Sequence, residues 1–221
     1  TIVTSQQVTV GVLIDSVYAD TYGGLYDEAF RLLNVAQVPV DLGGWRVTDG
    51  EGTVTFPAGG DLAPGQRLWC SREATAFLDS FGFLPDYEWD GDHPGVAHLM
   101  YTGALWLHDD DDEVTLLGAG GEPVDVLVYG DGVPPATGWT GPTVRPYHPS
   151  STFPVDGQIL YRKLDQATGL PVLDTDTASD WAQDYEDPID GRKVQYPGWD
   201  LDAFFFTRRI TESATLTVTV A

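Results

Sequence analysis

Cysteine, lysine and methionine are nearly missing from this chain, and each shortage excludes something. Cys70, alone among 221 residues, rules out an internal disulfide and any multi-cysteine metal cage. Lys163 and Lys193 are the only lysines, so 11 basic residues face 34 acidic ones, for a formal charge of −23 and a sequence pI near 4.1. A phosphate-tracking surface needs basic stripes to release counterions, so nucleic acid is excluded as a partner class, and anionic membrane surfaces with it. No apolar run approaches the roughly 18 residues of a membrane span. Neither an initiator methionine nor a signal-peptide pattern stands at Thr1, so the chain is expected to be a mature or excised piece. What is present is a core: 42% hydrophobic and 12% aromatic residues suffice for one large domain despite the charge.

Helical periodicity is also scarce. Alternating, β-branched runs recur at 8–18, 29–35, 45–48, 53–56, 66–70, 113–117, 124–129 and 214–220, separated by Gly, Pro and Asp turn chemistry. This spacing predicts an all-β antiparallel sandwich rather than an alternating βα fold. One helix interrupts it. Ala74, Phe77, Leu78 and Phe81 repeat at helical spacing behind a candidate cap, Ser71, and before a stop at Gly82. Residues 83–112 and 130–158 are aperiodic and read as long connections. No repeat or linker divides the chain, so 8–200 is expected to be a single elaborated domain, with 201–221 a final strand or a lead into a following domain.

Several segments, in order, resemble the lamin tail domain, the immunoglobulin-like module of nuclear lamins that also occurs in exported bacterial and archaeal proteins. They are Val12-Leu13-Ile14-Asp15-Ser16-Val17-Tyr18, Glu28-Ala29-Phe30-Arg31-Leu32-Leu33-Asn34 and Val40-Asp41-Leu42-Gly43-Gly44-Trp45-Arg46-Val47-Thr48-Asp49. Next come Leu62-Ala63-Pro64-Gly65-Gln66-Arg67-Leu68, Asp112-Glu113-Val114-Thr115-Leu116-Leu117 and 121–130, then Leu160-Tyr161-Arg162-Lys163 and Asp174-Thr175-Asp176 with Asp180-Trp181. Arg31 departs from the family's usual acidic residue, and 108–112 replaces a shorter polar turn. The resemblance implies an immunoglobulin-like sandwich, with Trp45 as its central core ring beside Phe30 and Asn34 satisfying a turn. It further implies a non-catalytic adhesion or accessory module, extracellular or at the cell surface, beside a hydrolase such as a phospholipase D-like domain. The expected partner is a protein or a cell-surface glycan.

Chemistry-bearing motifs are sparse. G-x-S-x-G, C-x-x-C, H-E-x-x-H and the His-x-Lys pattern of a phospholipase D-type site do not occur, so no catalytic residues are assigned. His93, His98, His108 and His148 have no ligand spacing. Asp86, Glu88, Asp90, Gly91 and Asp92 resemble the first half of a calcium loop, although Ala97 stands where the bidentate glutamate belongs. Those four carboxylates are the candidate calcium ligands. Acidic clusters at 109–113 and at Asp174, Asp176 and Asp180 are solvated faces or weaker cation candidates. Trp89, Trp106, Trp139, Trp181 and Trp199, with Tyr147, fall in or beside loops, where rings stack on a glycan or pack as satellite cores. They make a carbohydrate- or cell-wall-binding module, with or without calcium, the second functional reading.

Overall fold

The computed structural model describes residues 11–21, 24, 26–130, 137–145, 157–165 and 170–182, with the backbone of 192–194 and 204–205. The strand expected over 214–220 lies outside the described residues, as do Tyr147, His148 and Trp199.

Two sheets face each other. The larger runs β15 (Phe204–Phe205), β14 (Arg192–Val194), β13 (Gln158–Tyr161), β1 (Val12–Tyr18), β2 (Ala29–Asn34), β7 (Arg67–Ser71), β8 (Tyr87–Glu88) and β9 (Ala97–His98). The second runs β10 (Met100–Gly103), β5 (Gly52–Thr55), β4 (Arg46–Thr48), β11 (Asp111–Leu117) and β12 (Pro123–Gly130), and a small ribbon pairs β3 (Val40–Asp41) with β6 (Asp61–Leu62). Named strands pair antiparallel except at β7–β8 and β8–β9, which are parallel. Residues 83–112 are thus no plain connection: they carry β8, β9 and β10, two of them only two residues long and too short for an alternating pattern to register.

Alternation decides the layers. Val12, Ile14, Phe30, Leu32, Leu68 and Cys70 from the larger sheet meet Val47, Val54, Val114, Leu116, Val126 and Val128 in one core. The opposite face of the larger sheet presents Tyr18, Ala29 and Trp69 to Phe77 and Phe81 of α1 (Ala74–Phe81). β1 is therefore buried on both faces, which explains its near-continuous apolar run. The helix ends as expected, with Gly82 at φ 79° donating its amide to the Leu78 carbonyl. Its start differs: Glu73 is the N-cap residue, Ser71 closes β7, and the first helical amide, Ala74, donates at 2.9 Å to Glu88 from β8. A carboxylate from a distant strand replaces the local hydroxyl because Ser71 is still committed to the sheet.

Trp45 also differs from expectation. It is half-buried against the core edge, whereas Trp89 fills the core, 1% exposed and stacked at 5.7 Å on the fully buried Phe30. Asn34 behaves as read. Its amide nitrogen donates to the carbonyls of Val38 and Leu62, at 2.9 and 2.7 Å, and its oxygen accepts from Ala36 at 2.8 Å.

A buried guanidinium ties the layers together. The β1–β2 register slips between Ile14 and Ser16, leaving Asp15 as a bulge. Arg162, with no side-chain exposure, donates Nε to the Ile14 carbonyl at 2.8 Å, and its backbone amide reaches the Asp15 carbonyl at 3.0 Å. Its other nitrogens hold Asp125 on β12 and, at 3.0 Å, Asp174, while the Trp181 ring lies 4.9 Å away. Asp125 in turn accepts the Ile14 amide at 2.6 Å. Outside the bulge, Asp15 pairs with Arg31 and Arg67, which accounts for a basic residue at position 31.

Truncating one partner of a buried charge pair strands the other, at a cost of about 3–5 kcal/mol. Arg162→Met and Asp125→Ala are each expected to destabilise by roughly that amount in urea unfolding. Asp125→Asn, which keeps an acceptor for the Ile14 amide, is expected to cost less. A loss below about 1 kcal/mol for Arg162→Met, the size of an exposed pair, would show that the clamp is dispensable.

Candidate functional site

Three consecutive backbone amides anchor one short segment where the two sheets meet the surface. Trp106 donates to Asp49 Oδ2 at 2.8 Å, Leu107 to Glu28 Oε2 at 3.3 Å and His108 to Asp112 Oδ2 at 3.0 Å. Asp49 follows β4, Glu28 precedes β2 and Asp112 lies on β11, so elements of both sheets grip one short segment. Asp49 also caps its own turn, accepting from Glu51 and Gly52. Gly52 is required here because a Cβ would fall 1.9 Å from the Leu105 nitrogen, so only glycine lets the segment lie against β5.

The pinned segment separates two concavities that share His108. One, about 260 Å³, is walled by Tyr26, Trp106 and Arg72, with the buried Glu28 among its lining residues. The Arg72 guanidinium sits 5.0 Å from the Tyr26 ring centroid and 5.1 Å from that of Trp106, while its Nε meets Asp90 at 3.1 Å and its Nη1 meets Glu28 at 3.7 Å. Tyr26 and Trp106 are each 50% exposed. The other, about 350 Å³, is lined by Asp49, Glu51, Asp111, Asp112 and Glu113 beside Val128. Burial pushes the Glu28 carboxyl up to about 8 against the pull of Arg72, and the Asp112 carboxyl up to about 6 against the amides it accepts.

The tryptophans read from sequence divide sharply. Trp89, Trp139 and Trp181 are core residues, 1%, 8% and 0% exposed, so the ligand role considered for them is corrected to packing. Trp139 donates its indole nitrogen to the Pro142 carbonyl at 3.1 Å, and Trp181 lies against Arg162. Only Trp106 of the described candidates presents a ring to solvent. Tyr26 and Arg72 were not legible as site residues, since stacking between positions 26, 72 and 106 leaves no local signature.

Three of the four carboxylates of the candidate calcium loop serve the chain itself, and the fourth, Asp92, is exposed. Asp86 accepts the Trp69 amide, Glu88 accepts the amides of Ala74 and His93, and Asp90 pairs with Arg72. Among the described residues the grouping that brings three ligand atoms within 4.8 Å is elsewhere, at Asp125, Asp174 and Asp176, and Arg162 already supplies a cation to two of them. Two histidines are similarly engaged: His98 bonds the carbonyls of Leu99 and Gly91 through its two ring nitrogens, and His93 Nδ1 accepts from Gly95. Burial pushes the Cys70 thiol up, which leaves it without thiolate reactivity.

Two measurements follow from these assignments. Calcium and magnesium at equal ionic strength are expected to raise the melting midpoint equally, through screening of the acidic surface alone; an excess shift with calcium would place a specific site in the loops. Glu28 is protonated in the folded protein between 4.5 and about 8 but ionised when unfolded. Its contribution is therefore complete below pH 4.5, declines as pH rises, and is lost above about 8. Against wild type, Glu28→Gln is expected to flatten the fall in stability between pH 5 and 8 by on the order of 1 kcal/mol per pH unit. Parallel curves would show that Glu28 is ionised in place.

Comparison with known proteins agrees with this architecture. The crystal structure of a DUF4876 family protein from Bacteroides thetaiotaomicron VPI-5482 superposes with a TM-score of 0.57, covering 87% of this chain and 76% of that one. At 13% sequence identity that likeness is one of fold. No curated protein matches the chain. Among the described residues no helix is long and apolar enough to cross a membrane. The family described as Lamin Tail Domain matches residues 5–131, more than half of the chain and the stretch that contains the Asn34 turn, the Asp15 bulge and the gripped 106–108 segment. The chain belongs to the lamin tail domain family.

Proposed function

We propose that this chain is a non-catalytic lamin tail module of an exported bacterial protein, an adhesion or accessory domain that positions a neighbouring hydrolase such as a phospholipase D-like domain. The observation that carries the reading is how buried acids are spent. Asp15, Glu28, Asp49, Glu88 and Asp125 each brace a backbone amide or an arginine, an arrangement that fixes loops rather than holding a nucleophile beside a base. A spacer role is further supported by the two apolar clusters, one between the sheets and one that seats the helix on the outer face of the larger sheet. A second reading, favoured by the half-exposed Trp106 and Tyr26 rings, has the module contact a cell-surface glycan directly.

The purified chain is expected to give no turnover with chromogenic phosphodiester, ester and glycoside substrates, and an epitope on the native protein is expected in the medium or cell-surface fraction. Turnover that one carboxylate or histidine substitution abolishes would overturn the non-catalytic reading, and retention in the cytoplasm would overturn the exported one.

A further inference from the structure

The concavity beside Trp106 has the chemistry of a sugar site. Its walls combine two half-exposed aromatic rings, Tyr26 and Trp106, with hydrogen-bonding groups of both kinds: the Arg72 guanidinium, the His108 imidazole, and the carboxyl groups of Glu28 and Asp109. A pyranose has an apolar face of C–H groups and a polar equator, and binds where a flat ring and directional polar groups meet. At about 260 Å³ the cavity lies below the range that encloses a drug-sized ligand, so it accepts one ring at the end or edge of a longer chain. The wall is braced by the chain's own hydrogen bonds. The backbone of Trp106–His108 is held by the amide grip of Asp49, Glu28 and Asp112, and the Trp106 ring lies against Arg72, whose Nε is hydrogen-bonded to Asp90 at 3.1 Å. A preformed platform spares the ligand the cost of ordering it.

Charge narrows the class. The formal charge of −23 and the acidic cavity across His108 repel uronates, sialylated chains and phosphorylated sugars. We propose that the Tyr26–Trp106 concavity binds a single uncharged pyranose ring of a surface glycan, with Trp106 as the stacking platform and the exposed His108 and Asp109 as polar partners. This rests on the glycan-contact reading above and is independent of whether a hydrolase adjoins the module.

The test is calorimetric titration of the intact chain with neutral oligosaccharides (β-glucan, chitin and mannan fragments), a sialylated oligosaccharide, a uronate oligomer and a basic peptide, with pull-down on the insoluble neutral polysaccharides. At least one neutral saccharide is expected to bind, the anionic ones at least tenfold more weakly. Trp106→Ala is expected to weaken binding at least tenfold, Trp106→Phe to restore part of it, and Met100→Ala, an exposed residue away from the cavity, to change nothing. Circular dichroism melts of each variant separate lost binding from lost folding. Binding of the anionic sugars alone, of the basic peptide alone, of none of the probes, or neutral binding that a folded Trp106→Ala retains would each overturn the proposal. Neutral binding that a folded Trp106→Ala retains would leave the glycan-contact reading standing and move the site elsewhere, whereas binding of none of the saccharides would overturn both.

Discussion

A guanidinium with no exposed surface sits where the two sheets of this protein meet, and much of the structure is arranged to make that tolerable. Moving a charge out of water costs several kcal/mol even after relaxation, so Arg162 needs a complete set of partners at once. They come from four parts of the chain: the Ile14 carbonyl, Asp125, Asp174 and the Trp181 ring. Each meets a separate structural need. The bulge at Asp15 disrupts the β1–β2 ladder, and the Ile14 amide and carbonyl find their partners in Asp125 and Arg162 instead of a neighbouring strand. Asp174 and the capping turn at 177–180 draw the acidic segment against the sandwich rather than leaving it in solvent. The cluster joins bulge, strand and loop at one point, and the desolvation of its charges offsets much of what their attraction contributes.

The same logic runs through the other acids. A chain with three times as many acidic as basic residues cannot pair all its carboxylates with cations. Asp15 and Asp125 take arginines, while others accept backbone amides: Asp49 takes three, Glu88 two and the part-buried Asp112 two. A carboxylate has about four lone-pair sites, enough to satisfy several orphan amides where loops cross strands. Loops that would leave unpaired donors can thus be packed tightly. The shortage of basic residues and the well-held loops are two sides of one composition.

How far the sequence could be read follows from how local each signal is. The strands β1, β2, β5, β7, β11 and β12 announced themselves through apolar and β-branched runs, the helix through its period and Gly82, and Asn34 through its place at a strand end, because in each case the deciding interactions lie within a few residues. β10 and β13, as long as β5, did not, since neither carries a β-branched run. Trp45 and Trp89 could not be ranked the same way. Both are large rings near turns, and what puts Trp89 at the centre is the Phe30 face opposite it and the short parallel strand β8, neither visible in the residues around position 89. The helix start illustrates the same limit, since Ser71 had the right chemistry but the sheet had already claimed it, and Glu88 arrived from fourteen residues away. The Trp106 ring was legible as a loop aromatic. Its partners Tyr26, Arg72 and Glu28 were not, because side-chain stacking and a 3.7 Å carboxylate contact across 44 positions carry no sequence period.

Exposure, not residue type, finally separates binding from support. Trp181 and Trp106 both stack against an arginine, at 4.9 and 5.1 Å, yet one is sealed and the other half open. The difference lies in what surrounds the arginine. Arg162 is enclosed by β1, β12 and the 174–181 segment, so its ring completes a core. Arg72 follows the end of β7 beside Asp90, which is exposed, and the 106–108 segment passes over it from one side only. A ring placed against a guanidinium that is itself supported from below becomes a fixed, solvent-facing platform, whereas a ring with no such support would either collapse into the core or move freely. The fold therefore uses one contact twice, first to cover a paired guanidinium inside the sandwich and then, at its margin, to hold an aromatic surface outward.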